Sequence, residues 1–169
     1  MLQQPKPLAF DVSPEQDDND ASIEALHEHA FGPGRFARTA FRLREGRRAV
    51  AGLSFVAGAG GRLIGSIRFG SVILAGLSGL LLGPLVVHPD YAGRGVGLKL
   101  MQMALEAARQ QGHSWVILVG DEPYYARVGF SRVPFGLITL PGPVDPARLL
   151  FLELKPDAMK GLSGTLQAG

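Results

Sequence analysis

The densest apolar stretch of the chain is Leu80 to Val87, LLLGPLVV, broken only by Gly83-Pro84. A run that short, apolar at consecutive positions, predicts a strand covered on both faces. His88-Pro89-Asp90-Tyr91 comes next, where proline ends the strand, and then a glycine-rich turn, Gly93-Arg94-Gly95-Val96-Gly97. Beyond it Val96, Leu100, Met101, Ala104, Leu105 and Ala108 recur at helical spacing until Gly112 stops the helix. The middle of the chain therefore reads as buried strand, glycine loop, long amphipathic helix.

Upstream, Leu8 to Val12 reads as a short first strand. A helix over Asp20 to Ala30 carries Ile23, Leu26 and Ala30 on one side, with Asp20 or Ser22 available as its cap. Gly32-Pro33-Gly34 breaks it, and a second helix over Arg35 to Arg44 presents Phe36, Ala40, Phe41 and Leu43. From Ala49 the period changes to two, so Ala51 to Ala57 and Arg62 to Phe69 read as antiparallel strands. Gly58-Ala59-Gly60-Gly61 between them is a hairpin turn, since no helix follows it. Ser71 to Leu77 leads into the buried fourth strand.

Downstream, Ser114 to Val119 forms a fifth strand and Pro123 to Val128 a short helix with proline near its start. Phe135 to Leu140 and Leu149 to Leu154 close the chain as two strands around Pro141-Gly142-Pro143. Residues 1–7 and 156–169 read as loose tails on a core of about 8–155. The order is β-α-α-β-β-β-α-β-α-β-β, and 169 residues suit one domain spanning 1–169.

Composition narrows the chemistry. The chain is 46% hydrophobic and 19% charged, which is globular rather than disordered, and its net charge is only +2 with no cluster of five or more Lys or Arg. Nucleic-acid binding is therefore not indicated. Cysteine is absent, which removes disulfides, thiolate metal sites and a cysteine nucleophile, and agrees with a reducing compartment. His27, His29, His88 and His113 show no ligand spacing, so no metal is expected. Met1 to Pro7 lacks the apolar core of a signal peptide, and no apolar run approaches the ~20 residues that span a bilayer. The expectation is a cytoplasmic protein with neither membrane nor nucleic acid as partner; monomer and homodimer both stay open.

The glycine loop is where chemistry concentrates. Glycines let backbone N–H groups converge without Cβ interference, and the helix N-terminus leaves its first amides unpaired, so the two together suit a pyrophosphate. Arg94 adds a full positive charge. The dinucleotide fingerprint G-x-G-x-x-G fails, because counting from Gly93 its last position falls on Leu98, and no G-x-x-x-x-G-K-[ST] run exists. These failures disfavour a nucleotide-binding domain.

Leu85-Val86-Val87-His88-Pro89 followed by Ala92-Gly93-Arg94-Gly95-Val96-Gly97 resembles the signature of the GNAT superfamily of acyl-CoA N-acyltransferases: L-x-V-x-P, then [Gln/Arg]-x-x-Gly-x-[Gly/Ala]. Ala92 departs from it, standing where the family has Gln or Arg. Pro123-Tyr124-Tyr125-Ala126-Arg127-Val128-Gly129-Phe130 is similar to the family's closing Tyr-x-x-x-Gly-Phe segment, and Leu118-Val119-Gly120-Asp121-Glu122 before it to the YhbS-like branch. Together these cover Leu80 to Phe130, about a third of the chain.

The resemblance implies an α/β (α+β) GNAT-like domain with a central mixed, largely antiparallel sheet, splayed between strands 4 and 5 and flanked by helices. It implies acetyl-CoA as co-substrate, held by Leu85, Val86 and Val87 and by the loop Ala92, Gly93, Arg94, Gly95, Val96, Gly97 and Leu98. It implies Tyr125 as general acid and an amine acceptor, small molecule or peptide, over the early helices and the closing strands, where Arg35 and Arg38 are the candidates to bind a substrate carboxylate. Gly83-Pro84 inside the fourth strand independently marks a bulge.

Acyl transfer from a thioester to an amine needs a neutral amine, a polarised carbonyl and a leaving thiolate. An alkyl amine has pKa ~10.4 and a thiol ~8.5, so a proton must leave the nitrogen and one must reach the sulfur. A phenol suits the second task. For the first, the fourth strand offers no acidic residue; Asp121, Glu122 and His88 are candidates, and none is assigned. That gap, with Ala92, keeps open an alternative: a non-catalytic acyl-CoA-binding sensor or partner module.

Overall fold

The structure, a computed structural model, describes residues 7–34 and 38–169. An eight-stranded mixed sheet forms its centre, in the order β1-β2-β3-β4-β5-β8-β6 with β10 joined to β3. Its strands are β1 (Asp11–Pro14), β2 (Phe55–Ala59), β3 (Arg62–Leu74), β4 (Leu77–Val87), β5 (Trp115–Val119), β6 (Ser131–Arg132), β8 (Leu149–Glu153) and β10 (Gln167–Ala168). A separate parallel pair joins β7 (Ile138–Thr139) to β9 (Gly164–Thr165). The α-helices are α1 (Asp20–Phe31), α2 (Thr39–Arg44), α3 (Val96–Gln110) and α4 (Glu122–Tyr125). The mixed sheet flanked by helices is the architecture the family resemblance implies.

The sandwich of apolar layers explains the continuous run in β4. Leu80 and Leu82 face one cluster with Leu100, Met101, Ala104, Leu105 and Ala108 of α3. Leu81 faces the other, with Leu43, Trp115, Ile117 and Leu166. A strand filled on both sides needs no alternation. Gly79 lacks a side chain for a local reason: the Trp115 indole occupies the place where its Cβ would stand.

Two irregularities in β4 open the sheet. Opposite β3, Phe69 pairs with Leu82 and Ile67 with Leu85, so Gly83 and Pro84 together face Arg68 alone. This is the expected bulge, two residues against one, with Gly83 at φ +126°, a region that favours glycine. On its other edge β4 runs parallel to β5 for only two pairs, Leu80 with Val116 and Leu81 with Ile117. Beyond the bulge the strands part, which is the splay the resemblance implies.

Several boundaries differ from expectation. The first strand lies at Asp11–Pro14 rather than Leu8 to Val12, paired to residues 55–58 of β2. β3 continues to Leu74 and turns at Ala75-Gly76 directly into β4, so Ser71 to Leu77 is hairpin and not connector. Of Phe135 to Leu140 only Ile138–Thr139 is strand, and it leaves the main sheet, where Leu149–Glu153 sits between β5 and β6. Phe135 itself is 89% exposed.

The largest correction concerns residues 156–169. They are not a loose tail: β9 pairs with β7, and β10 pairs with Val72 and Ile73 of β3, where β2 no longer covers that edge. Between them Leu166 is fully buried and donates its N–H to the Thr139 carbonyl at 2.8 Å. Two leucines, Leu162 and Leu166, in a largely polar, glycine-rich segment give little periodicity to read.

Candidate active site

A cleft of about 530 Å³ opens where β4 and β5 diverge. Its walls come from α1 (Glu24, His27, Phe31), α2 with the residue before it (Arg38, Thr39, Phe41, Arg44), the β4 bulge (Leu82 to Leu85) and the β5–α4 turn (Val119, Gly120, Asp121, Tyr124, Tyr125). The loop Pro143 to Asp145 and Arg148 complete it. Thr39 Oγ1 donates to the Pro143 carbonyl at 2.8 Å and ties two of these walls together.

Tyr125 stands in this cleft, largely buried, its ring edge-on to Phe130 at 6.1 Å and to Tyr124 at 5.0 Å. Gly120 leaves the room its ring fills. Burial pushes the Tyr125 phenol up to about 12, with Tyr124 and Asp121 adding to the rise and the Arg148 charge opposing it. At neutral pH it is a protonated hydroxyl, a hydrogen-bond donor. Tyr124 also lines the cleft, but its hydroxyl packs on Gly97 and its ring lies 4.8 Å from the Arg127 guanidinium.

The strand and loop expected to hold the cofactor meet at the same gap. His88 N–H donates to the Ile64 carbonyl of the strand β3 at 2.8 Å. By the alternation of an antiparallel ladder, Val86 also turns its amide to β3, while Leu85 and Val87 direct theirs toward the opened side. Of the three residues named from sequence, two thus present free-edge amides; Val86 is 3% exposed and serves the core.

After a short turn at Pro89–Tyr91, Gly93 and Gly95 adopt φ +73° and +85°. Gly95 caps α3 with no side-chain hydrogen bond, and Lys99 N–H donates back across the cap to the Gly95 carbonyl at 3.0 Å. The amides of Val96, Gly97 and Leu98 therefore point out of the helix end without an i−4 acceptor. A Cβ built on Gly93 or Gly95 meets no protein atom within 4 Å, so the space over the loop is open. Arg94 and Ala92 lie exposed beside it.

Residues 51–132 match the family model described as an acetyltransferase (GNAT) domain. The Escherichia coli (strain K12) protein named uncharacterized N-acetyltransferase YjhQ is 34% identical over 120 residues, covering 68% of this chain. The chain spans 66% of that relative's length. The GNAT family N-acetyltransferase YhbS from Escherichia coli, whose structure holds CoA, superimposes with a TM-score of 0.82 over 99% of this chain and 93% of that one, at 24% identity. A GNAT family acetyltransferase from Brucella melitensis, solved with acetyl-CoA, gives a TM-score of 0.68 at 27% identity over 92% and 96%.

The chain belongs to the GNAT family.

In this GNAT protein the residues present fit an acyl-CoA by their own geometry: a strand gap lined with outward amides, and a helix end whose unpaired N–H groups face open space above two glycines. Ala92 contributes no side-chain donor there, so the backbone and Arg94 carry the loop's positive character. No group of three metal-ligating side chains occurs among the described residues. No described helix is long and apolar enough to cross a membrane.

Of the two arginines expected from sequence to bind a substrate carboxylate, one is placed in the cleft. Arg38 lines the cleft mouth, exposed, with its guanidinium 5.2 Å from the Phe31 ring centre. Arg35 lies outside the described residues. Among the candidate bases, Asp121 lines the cleft beside Arg148 at 3.5 Å. Glu122 instead pairs with Arg132 at 2.8 Å, and His88 stacks on His29 at 5.4 Å next to Arg62; neither lines the cleft.

Sequence reasoning missed Glu24, His27, Arg44 and Arg148, all of which line it. His27 is 7% exposed, with Nδ1 3.8 Å from Glu24 Oε2. An i,i+3 Glu-His pair on a short helix looks like solvated surface in sequence; only the strand bulge beneath α1 makes it cleft wall.

Proposed function

We propose that this protein transfers an acetyl group from acetyl-CoA to a primary amine by direct attack within a ternary complex. The observation that carries the reading is Tyr125: a protonated, largely buried phenol in the cleft at the place where β4 and β5 part. The amides of Leu85 and Val87 supply the donors that polarise a carbonyl in the gap, and Val96 to Leu98 with Gly93, Arg94 and Gly95 hold the pyrophosphate.

The amine nitrogen attacks the thioester carbon, the carbon–sulfur bond breaks, and one proton leaves nitrogen while one reaches sulfur. With the phenol near 12 and a thiol near ~8.5, Tyr125 stabilises the departing thiolate chiefly as a hydrogen-bond donor. Glu24, at the cleft surface beside His27, receives the amine proton directly or through water. This places an acidic group where β4 has none, which favours an enzyme over a passive acyl-CoA-binding module.

The test is a calorimetric titration with acetyl-CoA followed by a thiol-release assay over a panel of amines, each with Tyr125→Phe alongside. Micromolar binding in both proteins, with turnover roughly 10²-fold lower in the variant, is the expected result. Wild-type turnover in the variant removes Tyr125 from the reaction, and binding without thiol release from any amine returns the protein to the sensor class.

A further inference from the structure

Arg44 occupies an unusual position. Its stem lies across Gly70 of β3, with Cγ 3.2 Å from where a Cβ would stand, and its Nη1 lies 3.0 Å from the corresponding place on Gly83 in the β4 bulge. Two glycines on neighbouring strands thus form a trough that holds one arginine at the point where the sheet opens. Glycine within a strand weakens it, so a close-approaching group is the physical reason to find it there.

Among the described residues the guanidinium delivered by this trough has no counter-charge. No carboxylate among the described residues comes within ion-pairing distance, and burial alone accounts for the fall of its pKa to about 10, so it remains charged at neutral pH. Arg68, the nearest comparable cation along β3, is by contrast held by Glu15 at 2.6 Å and Asp20 at 2.7 Å. A half-buried charge left without a partner costs stability, and the cost is removed when an anion arrives.

Arg44 also joins two spaces. It lines the cleft that contains Tyr125 and a second cavity of about 370 Å³ running between α2, Gly70 and Ser71; Glu24, His27, Phe41, Gly83 and Pro84 border both. Near Tyr125 the cleft carries Asp121 beside Arg148, whereas the Arg44 end gathers Arg44, Arg47, Arg48 and the paired Arg68 against Glu24 and Glu45, a net positive charge. Of these four arginines Arg44 is the one that lines both spaces, and its planar guanidinium at the strand gap suits a carboxylate, which it can take bidentately.

We propose that the acceptor is an amine that also carries a carboxylate, an amino-acid-like molecule, and that Arg44 is the residue that binds that carboxylate. This rests on the transferase reading for the word acceptor, but the binding of the carboxylate does not. Arg44 acts as a specificity residue, with no part in proton movement.

The experiment uses matched probes: leucine, phenylalanine, β-alanine and γ-aminobutyrate, each beside its primary amide. Binding to the CoA-loaded protein is read by calorimetry, and thiol release from acetyl-CoA in parallel, for wild type, Arg44→Gln and Arg44→Lys. At least one acid should bind 10-fold or more tightly than its amide, a preference that Arg44→Gln abolishes and Arg44→Lys partly restores, with acetyl-CoA affinity unchanged. Equal binding of acids and amides, equal loss of both in Arg44→Gln, or no binding of any acid overturns the proposal. An Arg44-dependent preference for acids without thiol release upholds it and overturns the transferase reading instead.

Discussion

The Tyr124 hydroxyl sits where a side chain on Gly97 would begin. The last glycine of the loop motif is therefore required by a tyrosine of the downstream motif, whatever it does for a ligand. The two motifs, far apart in sequence, are one packing unit in which α3 starts against α4.

Gly97→Ala should destabilise the protein by about 1–3 kcal/mol through overpacking, because the nearest atom is a hydroxyl on a ring held by its neighbours. Tyr124→Phe removes that oxygen and leaves Cζ, at 3.3 Å, as the closest ring atom. The double variant should recover most of the loss. Denaturant unfolding of all four proteins in a double-mutant cycle reads this; additive effects would disprove the coupling.

Glu24→Gln should lower turnover by roughly 10- to 10²-fold at neutral pH if Glu24 receives the amine proton. The deficit should shrink toward alkaline pH, where the amine is already neutral. A pH–rate profile of both proteins checks it, and a loss of the same size at every pH takes Glu24 out of the proton route.

Tyr125 gives a pH-dependent signature of its own. Its phenol is raised to about 12 in the folded state, above the ~10 of an unfolded chain. The folded protein therefore holds the proton more tightly, and the stability this contributes is complete below pH ~10 and is lost as pH rises toward 12. Arg44, lowered to about 10, has the opposite sign: it destabilises below that pH and the penalty fades above it. Phenolate absorbance, differenced between wild type and Tyr125→Phe, should show Tyr125 as the last of the three tyrosines to ionise. Ionisation near 10 would mean that the ring is not buried in the cleft wall.

Leu166→Ala should cost about 2–5 kcal/mol, the range for a leucine fully removed from water. Thermal or denaturant unfolding measures it. A change within a few tenths of a kcal/mol would restore the view of this segment as a loose tail.

Leu166 also marks where the sequence stops being legible. The central strand, glycine loop and α3 were readable because Leu80, Leu81 and Leu82 and the Val96 to Ala108 spacing repeat strongly at a fixed period. The bulge is readable because Gly83-Pro84 is anomalous inside such a run, whereas the splay is what the family resemblance implies. The last strands of the chain, β9 and β10, are two residues long, and nothing periodic fits in two residues. Arg44 was hidden for another reason: its significance lies in Gly70 and Gly83, which reach it only through the pairing of β3 with β4.

The parting of β4 from β5 has a consequence for motion. The halves of the sheet, β1 to β4 on one side and β5, β8 and β6 on the other, share two ladder pairs, Leu80 with Val116 and Leu81 with Ile117. Beyond those rungs no ladder hydrogen bond joins β4 to β5, so the seam is the natural line along which the sheet breathes. A ligand seated there and bonded to Leu85 and Val87 on one bank would act as mortar. Amide hydrogen exchange should then slow along both strands together when acetyl-CoA binds, although β5 itself touches the ligand through few or none of its own amides.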